Sequence, residues 1–150
     1  MFKKETKIIS NRFKEINNLK KFGSYIDRKV YSKSGEFVGK VYDLLFKKDI
    51  FSGIMVKGKK DIFIGKEFFR GESEKTIMLK IEPVVNLIGK RVFDSTGKKV
   101  GIVREIKRKA NSNNYTDLVV KKSIYKRSFT VPKKDIEVAK KNIILKKEYK

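Results

Sequence analysis

The sequence predicts an all-β protein built from two tandem copies of one small barrel, preceded by a short N-terminal helix. Three observations predict it: a duplication, turn signals about every ten residues, and runs rich in β-branched and aromatic residues. Residues 26–44 and 88–106 align without a gap at an offset of 62. Val30 matches Val92, Tyr31 matches Phe93 and Gly35 matches Gly97; Val38, Gly39 and Val41 match Val100, Gly101 and Val103. Further on, Ile54-Met55-Val56 answers Leu118-Val119-Val120, and Ile62-Phe63-Ile64 answers Phe129-Thr130-Val131. Thr76-Ile77-Met78-Leu79-Lys80 answers Asn142-Ile143-Ile144-Leu145-Lys146.

Each copy opens on a short run, Lys29 to Ser32 or Arg91 to Asp94, that reaches a turn at Ser34-Gly35 or Thr96-Gly97. Glycine there can take positive φ. The next run contains Gly39 or Gly101, and a lone strand glycine suggests a bulge or a tight bend. The apolar residues Val38, Val41, Leu44 and Val100, Val103, Ile106 fall three apart. That spacing also suits a helical face; a bulge beside the glycine is the β explanation. Asn111-Ser112-Asn113-Asn114 reads as a loop, and Pro132 should close a strand because it lacks a ladder donor. The expected organisation is a helical extension over 1–22, a first barrel over 23–82, a connector over 83–87 and a second barrel over 88–150. In 1–22, Ile9, Phe13 and Ile16 form one helical stripe, with Gly23 placed just after the helix. A unit of about 60 residues is marginal alone, so the two copies should pack as a fixed pair.

The string Ile88-Gly89-Lys90-Arg91-Val92-Phe93-Asp94-Ser95-Thr96-Gly97-Lys98-Lys99-Val100-Gly101, running on to Ile106, resembles the opening of a PRC-barrel domain, and Phe129-Thr130-Val131-Pro132 is similar to that family's short apolar-Pro strand. The family is known from the reaction-centre H subunit and from the C-terminal half of the ribosome maturation factor RimM. The likeness covers 88–146 well and 26–80 more loosely: Asp27 stands where the second copy has Gly89, and Gly65 where it has Pro132. It implies a six-stranded barrel without catalytic residues that serves as a docking module. It also implies a small stand-alone protein of the kind typical of archaea, some of which resemble adaptors of the FtsZ–SepF division ring.

The chain carries 39 Lys+Arg against 17 Asp+Glu, a formal net charge of +22. A self-repelling excess of this size is best tolerated when a polyanion neutralises it. With no His and no Cys, Ser-His-Asp and Cys-His arrangements and His- or Cys-ligated metals are excluded. No phosphate-binding glycine loop occurs. No cofactor, metal or catalytic residue is therefore expected, and no enzyme. Glu72 and Glu74 read as a solvated hairpin tip in a Gly/Ser-rich loop, and Asp43 and Glu105 as partners of nearby cations. No apolar run suits a signal peptide or a membrane span, so a cytoplasmic protein is expected.

Cation is densest after residue 87. The candidate nucleic-acid contacts are Lys107, Arg108, Lys109, Lys121, Lys122, Lys126, Arg127, Lys133 and Lys134. Tyr115 and Tyr125 could stack on unpaired bases. Lys126-Arg127 and Lys133-Lys134 are the pairs best placed in loops, where neighbours can face one groove. The chain has 32 Lys and 7 Arg. Lys is a flexible point charge, so phosphate contact is expected and sequence readout is not. The expected partner is RNA or a ribonucleoprotein such as the ribosome. The alternative is a protein–protein adaptor of archaeal cell division, or self-association. A membrane is the least expected partner, reached only through residues 1–22.

Overall fold

A computed structural model of the protein describes residues 7–17 and 19–149. The described residues form twelve strands in two six-stranded sheets. The first holds β1 (Lys29–Tyr31), β2 (Phe37–Lys47), β3 (Ile50–Gly58), β4 (Ile62–Gly65), β5 (Phe69–Glu72) and β6 (Thr76–Leu79). The second holds β7 (Arg91–Phe93), β8 (Lys99–Arg108), β9 (Tyr115–Lys121), β10 (Phe129–Pro132), β11 (Ile136–Ala139) and β12 (Ile143–Leu145). Their orders, β4-β3-β2-β1-β6-β5 and β10-β9-β8-β7-β12-β11, are the same order written twice. β6 runs parallel to β1 and β12 parallel to β7, while every other pair is antiparallel. Returning the last hairpin beside the first strand curls each sheet around its own core. One core gathers Val30, Val41, Ile54, Val56, Ile77 and Leu79; the other gathers Val92, Val103, Leu118, Val120, Ile143 and Leu145.

Register settles the ambiguous three-residue spacing. Val30 lies opposite Gly39 but Tyr31 opposite Phe37, so Val38 is an extra residue on its strand. Val41 lies opposite Val56 but Asp43 opposite Met55, which makes Tyr42 a second extra residue. Each bulge shifts the alternation by one position, so Val38, Val41 and Leu44 all turn inward. The second sheet repeats both shifts, at Val100 and Arg104. Gly39 and Gly101 permit the close strand approach: a Cβ on Gly39 would lie 2.3 Å from the Lys57 carbonyl oxygen, and one on Gly101 2.6 Å from Val120 Cγ1.

The two copies also agree where their residues differ. Asp27 takes φ +66° and Gly89 φ +85°. The Asp27 N–H donates to the Val41 carbonyl at 2.8 Å, and the Gly89 N–H to the Val103 carbonyl at 2.8 Å. Aspartate is among the few side chains that tolerate this backbone region, so the loss of glycine leaves the turn intact. Pro132 and Gly65 are the last residues of β10 and β4.

The expected helix over 1–22 is not formed in the described residues 7–17 and 19–21; its remaining positions, 1–6 and 18, lie outside them. Ser10 Oγ accepts the N–H groups of Arg12 and Phe13 at 3.1 Å, as a helix cap would. No helix propagates from it. The stripe finds no core to bury against, with Ile9 and Phe13 exposed, and a short helix without packing is marginal in water. Gly23 lies inside a 3₁₀ turn, Phe22–Tyr25, and does not end a helix. A second 3₁₀ turn, Val84–Leu87, matches it at the same offset of 62, so each sheet is entered through such a turn.

Two further expectations need correction. Glu72 closes β5 and is no solvated tip. It accepts from Tyr25 Oη at 3.3 Å and Arg28 Nη1 at 3.4 Å and pairs with Lys20, while Glu74 joins no ion pair among the described residues. Burial raises the Glu72 carboxyl, but bonds from Lys20 and Tyr25 outweigh it and hold the group below its ordinary range. Asp43 and Glu105 join no ion pair among the described residues; Asp43 Oδ1 accepts the Leu44 N–H at 2.8 Å instead.

Candidate nucleic-acid interface

Register divides the sequence-predicted residues between two ends of the second barrel. At one end the β8–β9 hairpin places Arg108 opposite Tyr115 and Lys107 opposite Asp117. Asn113 fixes the loop between them: its Oδ1 accepts the Val84 N–H at 3.0 Å and its Nδ2 donates to the Glu82 carbonyl at 2.9 Å. Pro132 lies opposite Asp117, which brings the 3₁₀ turn Lys133–Asp135 to the same end. Lys107, Arg108, Lys109, Lys133 and Lys134 are all exposed there.

At the other end β9 finishes at Lys121, and the loop 122–128 carries Lys122, Tyr125, Lys126 and Arg127. A shallow depression lined by Lys98, Lys99, Lys122, Phe129 and Tyr149 lies beside it. The seven residues of β9 separate the two ends, six steps from Tyr115 to Lys121 or roughly 20 Å at ~3.3 Å each. Lys126-Arg127 and Lys133-Lys134 therefore do not share one groove, because they flank opposite ends of β10. Lys98 and Lys99 were missed by sequence reasoning. Their signal was the strand pairing of β7 with β8, which brings the Gly97 turn to the Lys122 end.

The tyrosines also separate. Tyr125 is 92% exposed and free to stack. Tyr115 is half-buried, with Lys133 Nζ 4.8 Å from its ring centre, so that face is not open to a base. Burial raises its hydroxyl pKa. Tyr149 donates to Asp135 Oδ2 at 2.8 Å and packs on Phe129. Burial first, then that bond, pushes its hydroxyl up to about 12, while the same bond and Lys147 hold Asp135 below its ordinary range.

Between the barrels lies a cleft of about 1310 Å³, lined by Glu36, Lys59, Glu82, Lys90, Arg91 and Lys140 among others. Two lysines tie the barrels across it. Lys59 Nζ donates to the Asn86 and Ile88 carbonyls at 3.0 and 2.6 Å, and Lys90 Nζ pairs with Glu36 at 3.1 Å. Burial lowers the Lys59 pKa, and the charge of Lys90 adds to the effect.

Among the described residues, four ion pairs occupy Lys20, Arg28, Lys90 and Lys147. None of the nine candidate Lys and Arg residues belongs to one. No group of three His, Cys, Asp or Glu among the described residues could hold a metal ion, and no helix there is long and apolar enough to cross a membrane.

The chain has an all-β fold of two six-stranded, curled, barrel-like sheets. No family model and no curated protein matches it. Among solved structures it is similar to a protein described as a 16S ribosomal RNA processing protein, RimM, of Pseudomonas aeruginosa. That match has 13% identity over 79% of this chain and 76% of the other, at a TM-score of 0.33.

Proposed function

We propose that the protein is a non-enzymatic docking module for RNA or a ribonucleoprotein such as the ribosome, held through the phosphates by the two cationic ends of its second barrel. The observation that carries this reading is the set of nine exposed or half-exposed cations without an ion-pair partner among the described residues. An unpaired cationic surface binds polyanions by releasing their counterions, without regard to sequence. Tyr125, beside Lys126 and Arg127, adds a stacking platform for an unpaired base.

The test is a salt series with charge reversals at each end, K107E/R108E/K109E and K126E/R127E. Affinity for RNA should fall steeply between about 50 and about 200 mM salt, and each set should flatten the dependence for all sequences alike. Binding indifferent to salt would overturn the reading. The division-adaptor alternative draws support from one observation, an exposed apolar patch, which lies on the first barrel. Capture of partners before and after nuclease treatment separates the two: ribonucleoprotein partners vanish, and an adaptor's partners stay.

A further inference from the structure

The polyanion reading makes no use of the first barrel's β2–β3 hairpin. Its strands meet at the two-residue turn Lys48-Asp49, where Lys47 faces Ile50. Around that turn Leu45, Phe46 and Ile50 are 40%, 44% and 64% exposed. Phe22, itself 53% exposed, stacks on Phe46 with ring centres 5.3 Å apart and planes 11° from parallel. Phe51 supports Phe46 from behind and continues to Tyr25 and Phe69, so the exposed ring is braced against the core. Lys21 precedes Phe22, Lys47 lies opposite Ile50 and Lys48 is in the turn, with Asp49 the single acid of the turn.

Lys48 holds φ +55°. Ala110, its counterpart at the offset of 62, holds φ +46°, so the left-handed position belongs to the hairpin shape the two barrels share, and Lys48 stands at its tip. The shape limits what the tip can bind. A projecting turn offers no groove to enclose a peptide side chain. It suits a yielding apolar layer beneath a layer of anions, where rings and aliphatic groups enter and lysine stems reach back to the headgroups. A second copy is a poor occupant, since two chains that each carry a net charge of +22 would have to meet lysine against lysine. The segment leading into Phe22 has the same composition, with Ile9, Phe13 and Leu19 exposed between Lys7, Arg12, Lys14 and Lys20.

We propose that the β2–β3 tip of the first barrel, together with Phe22, inserts into the surface of an anionic bilayer. This departs from the expectation that ranked a membrane last, and it rests on a different surface from the polyanion site. It is therefore independent of that reading.

The chain has no Trp, so F46W gives a single tryptophan, excited apart from the six Tyr at the red edge of their absorption. Vesicles of phosphatidylcholine with and without phosphatidylserine, some carrying brominated acyl chains, serve as the probe. F46W emission should shift to the blue and be quenched by bromine on phosphatidylserine vesicles. R108W, at the equivalent position of the second barrel, should stay unquenched. L45S/I50S should lose about tenfold or more in partitioning, since full burial of even one such side chain is worth that much. Its thermal melt and RNA affinity should be unchanged. A net charge of +22 adsorbs to any anionic vesicle, so binding alone decides nothing and depth does. Bound but unquenched F46W, or equal partitioning of L45S/I50S, would overturn the proposal. So would a protein partner that L45S/I50S loses while wild type ignores vesicles.

Discussion

The two barrels present the same hairpin with opposite chemistry. Where the second carries Lys107-Arg108 beside Lys133, the first carries Leu45-Phe46 beside Phe22. The strands beneath them keep the same bulges, the same partners and the same inward residues. Leu44 and Ile106 lie opposite Ile54 and Leu118 in both, and the sequence diverges one residue later. The core constrains positions that point inward, and a projecting tip contributes little to it. Divergence collects at the tips, and there a duplicated scaffold presents two different surface chemistries.

The scaffold half of this comparison breaks most severely at Gly39 and Gly101. A Cβ on Gly101 would meet Val120 Cγ1 at 2.6 Å and the Lys121 carbonyl oxygen at 2.8 Å, from a backbone at φ +155°. Overpacking with strain of this kind costs about 2–4 kcal/mol. G101A should lower the denaturation midpoint by that amount, and amide exchange should accelerate in 91–145 before it does in 29–79. G39A, whose Cβ would lie 2.3 Å from the Lys57 carbonyl oxygen, should reverse that order. Equal exchange in both halves would show that the barrels unfold as one unit.

Exchanging the tips tests the other half. K107L/R108F should reduce the steepness of salt-dependent RNA binding by roughly two phosphate contacts' worth. L45K/F46R, which adds the same charge at the first barrel's tip, should leave that steepness nearly unchanged. If the position of the cations does not matter, both variants will bind RNA in proportion to net charge alone, and the assignment to the second barrel's ends fails.

Much of this scaffold was legible in the sequence. Glycine positions are fixed by backbone geometry, and buried valines by the register they must share, so the duplication showed directly in Gly35, Gly97, Gly39 and Gly101. The drift of the later strands was legible too: Ile54 and Leu118, Ile64 and Val131, Ile77 and Ile143 occupy matching register positions. The missing helix was not legible, because the stripe Ile9, Phe13 and Ile16 is real and only the lack of a packing surface undoes it. The split of the cations was also hidden. Lys126 and Lys133 are close in sequence, and only the path of β10 between them shows that they face different ends. The aromatic tip was visible in principle, since aligning Leu45-Phe46 with Lys107-Arg108 at offset 62 needs no structure.

A smaller difference concerns how each barrel secures its last turn. In the second, Tyr149 donates to Asp135 and Lys147 lies 3.3 Å from the same carboxylate. The Tyr149 hydroxyl has a raised pKa in the fold, so its stabilisation is fully present below its unfolded value near 10 and is lost as pH rises toward about 12. Asp135 behaves in the opposite sense, stabilising above its unfolded value and losing that stabilisation in acid as pH falls through its lowered folded value. Y149F should cost about 1 kcal/mol or less at neutral pH. Its deficit relative to wild type should shrink between about pH 10 and 12, measured by urea midpoints. A deficit constant across that window would mean that the ring packing on Phe129 matters and the hydroxyl does not.

The smallest expected effect tests the duplication at its weakest match. Gly65 sits at φ −64°, ψ 147°, and Pro132 at φ −65°, ψ 147°, each leading into a 3₁₀ turn. Gly65 lies opposite Gly53, and Pro132 opposite Asp117, at corresponding ends of their strands. Proline has no N–H, so the second barrel closes this bridge without a donor, and the first should manage the same. The one obstacle is the Glu67 carboxylate, which a Cβ on Gly65 would approach at 2.3 Å; it is the far end of an exposed, flexible side chain and can turn away. G65P should therefore stabilise the protein by about 0.4–1 kcal/mol, chiefly by narrowing the unfolded ensemble. P132G should destabilise it by a similar amount, each with an unchanged denaturant slope. A loss of stability in G65P would mean that the Gly65 N–H serves a bond the second barrel lacks, and that the two strand ends are equivalent in shape but not in hydrogen bonding.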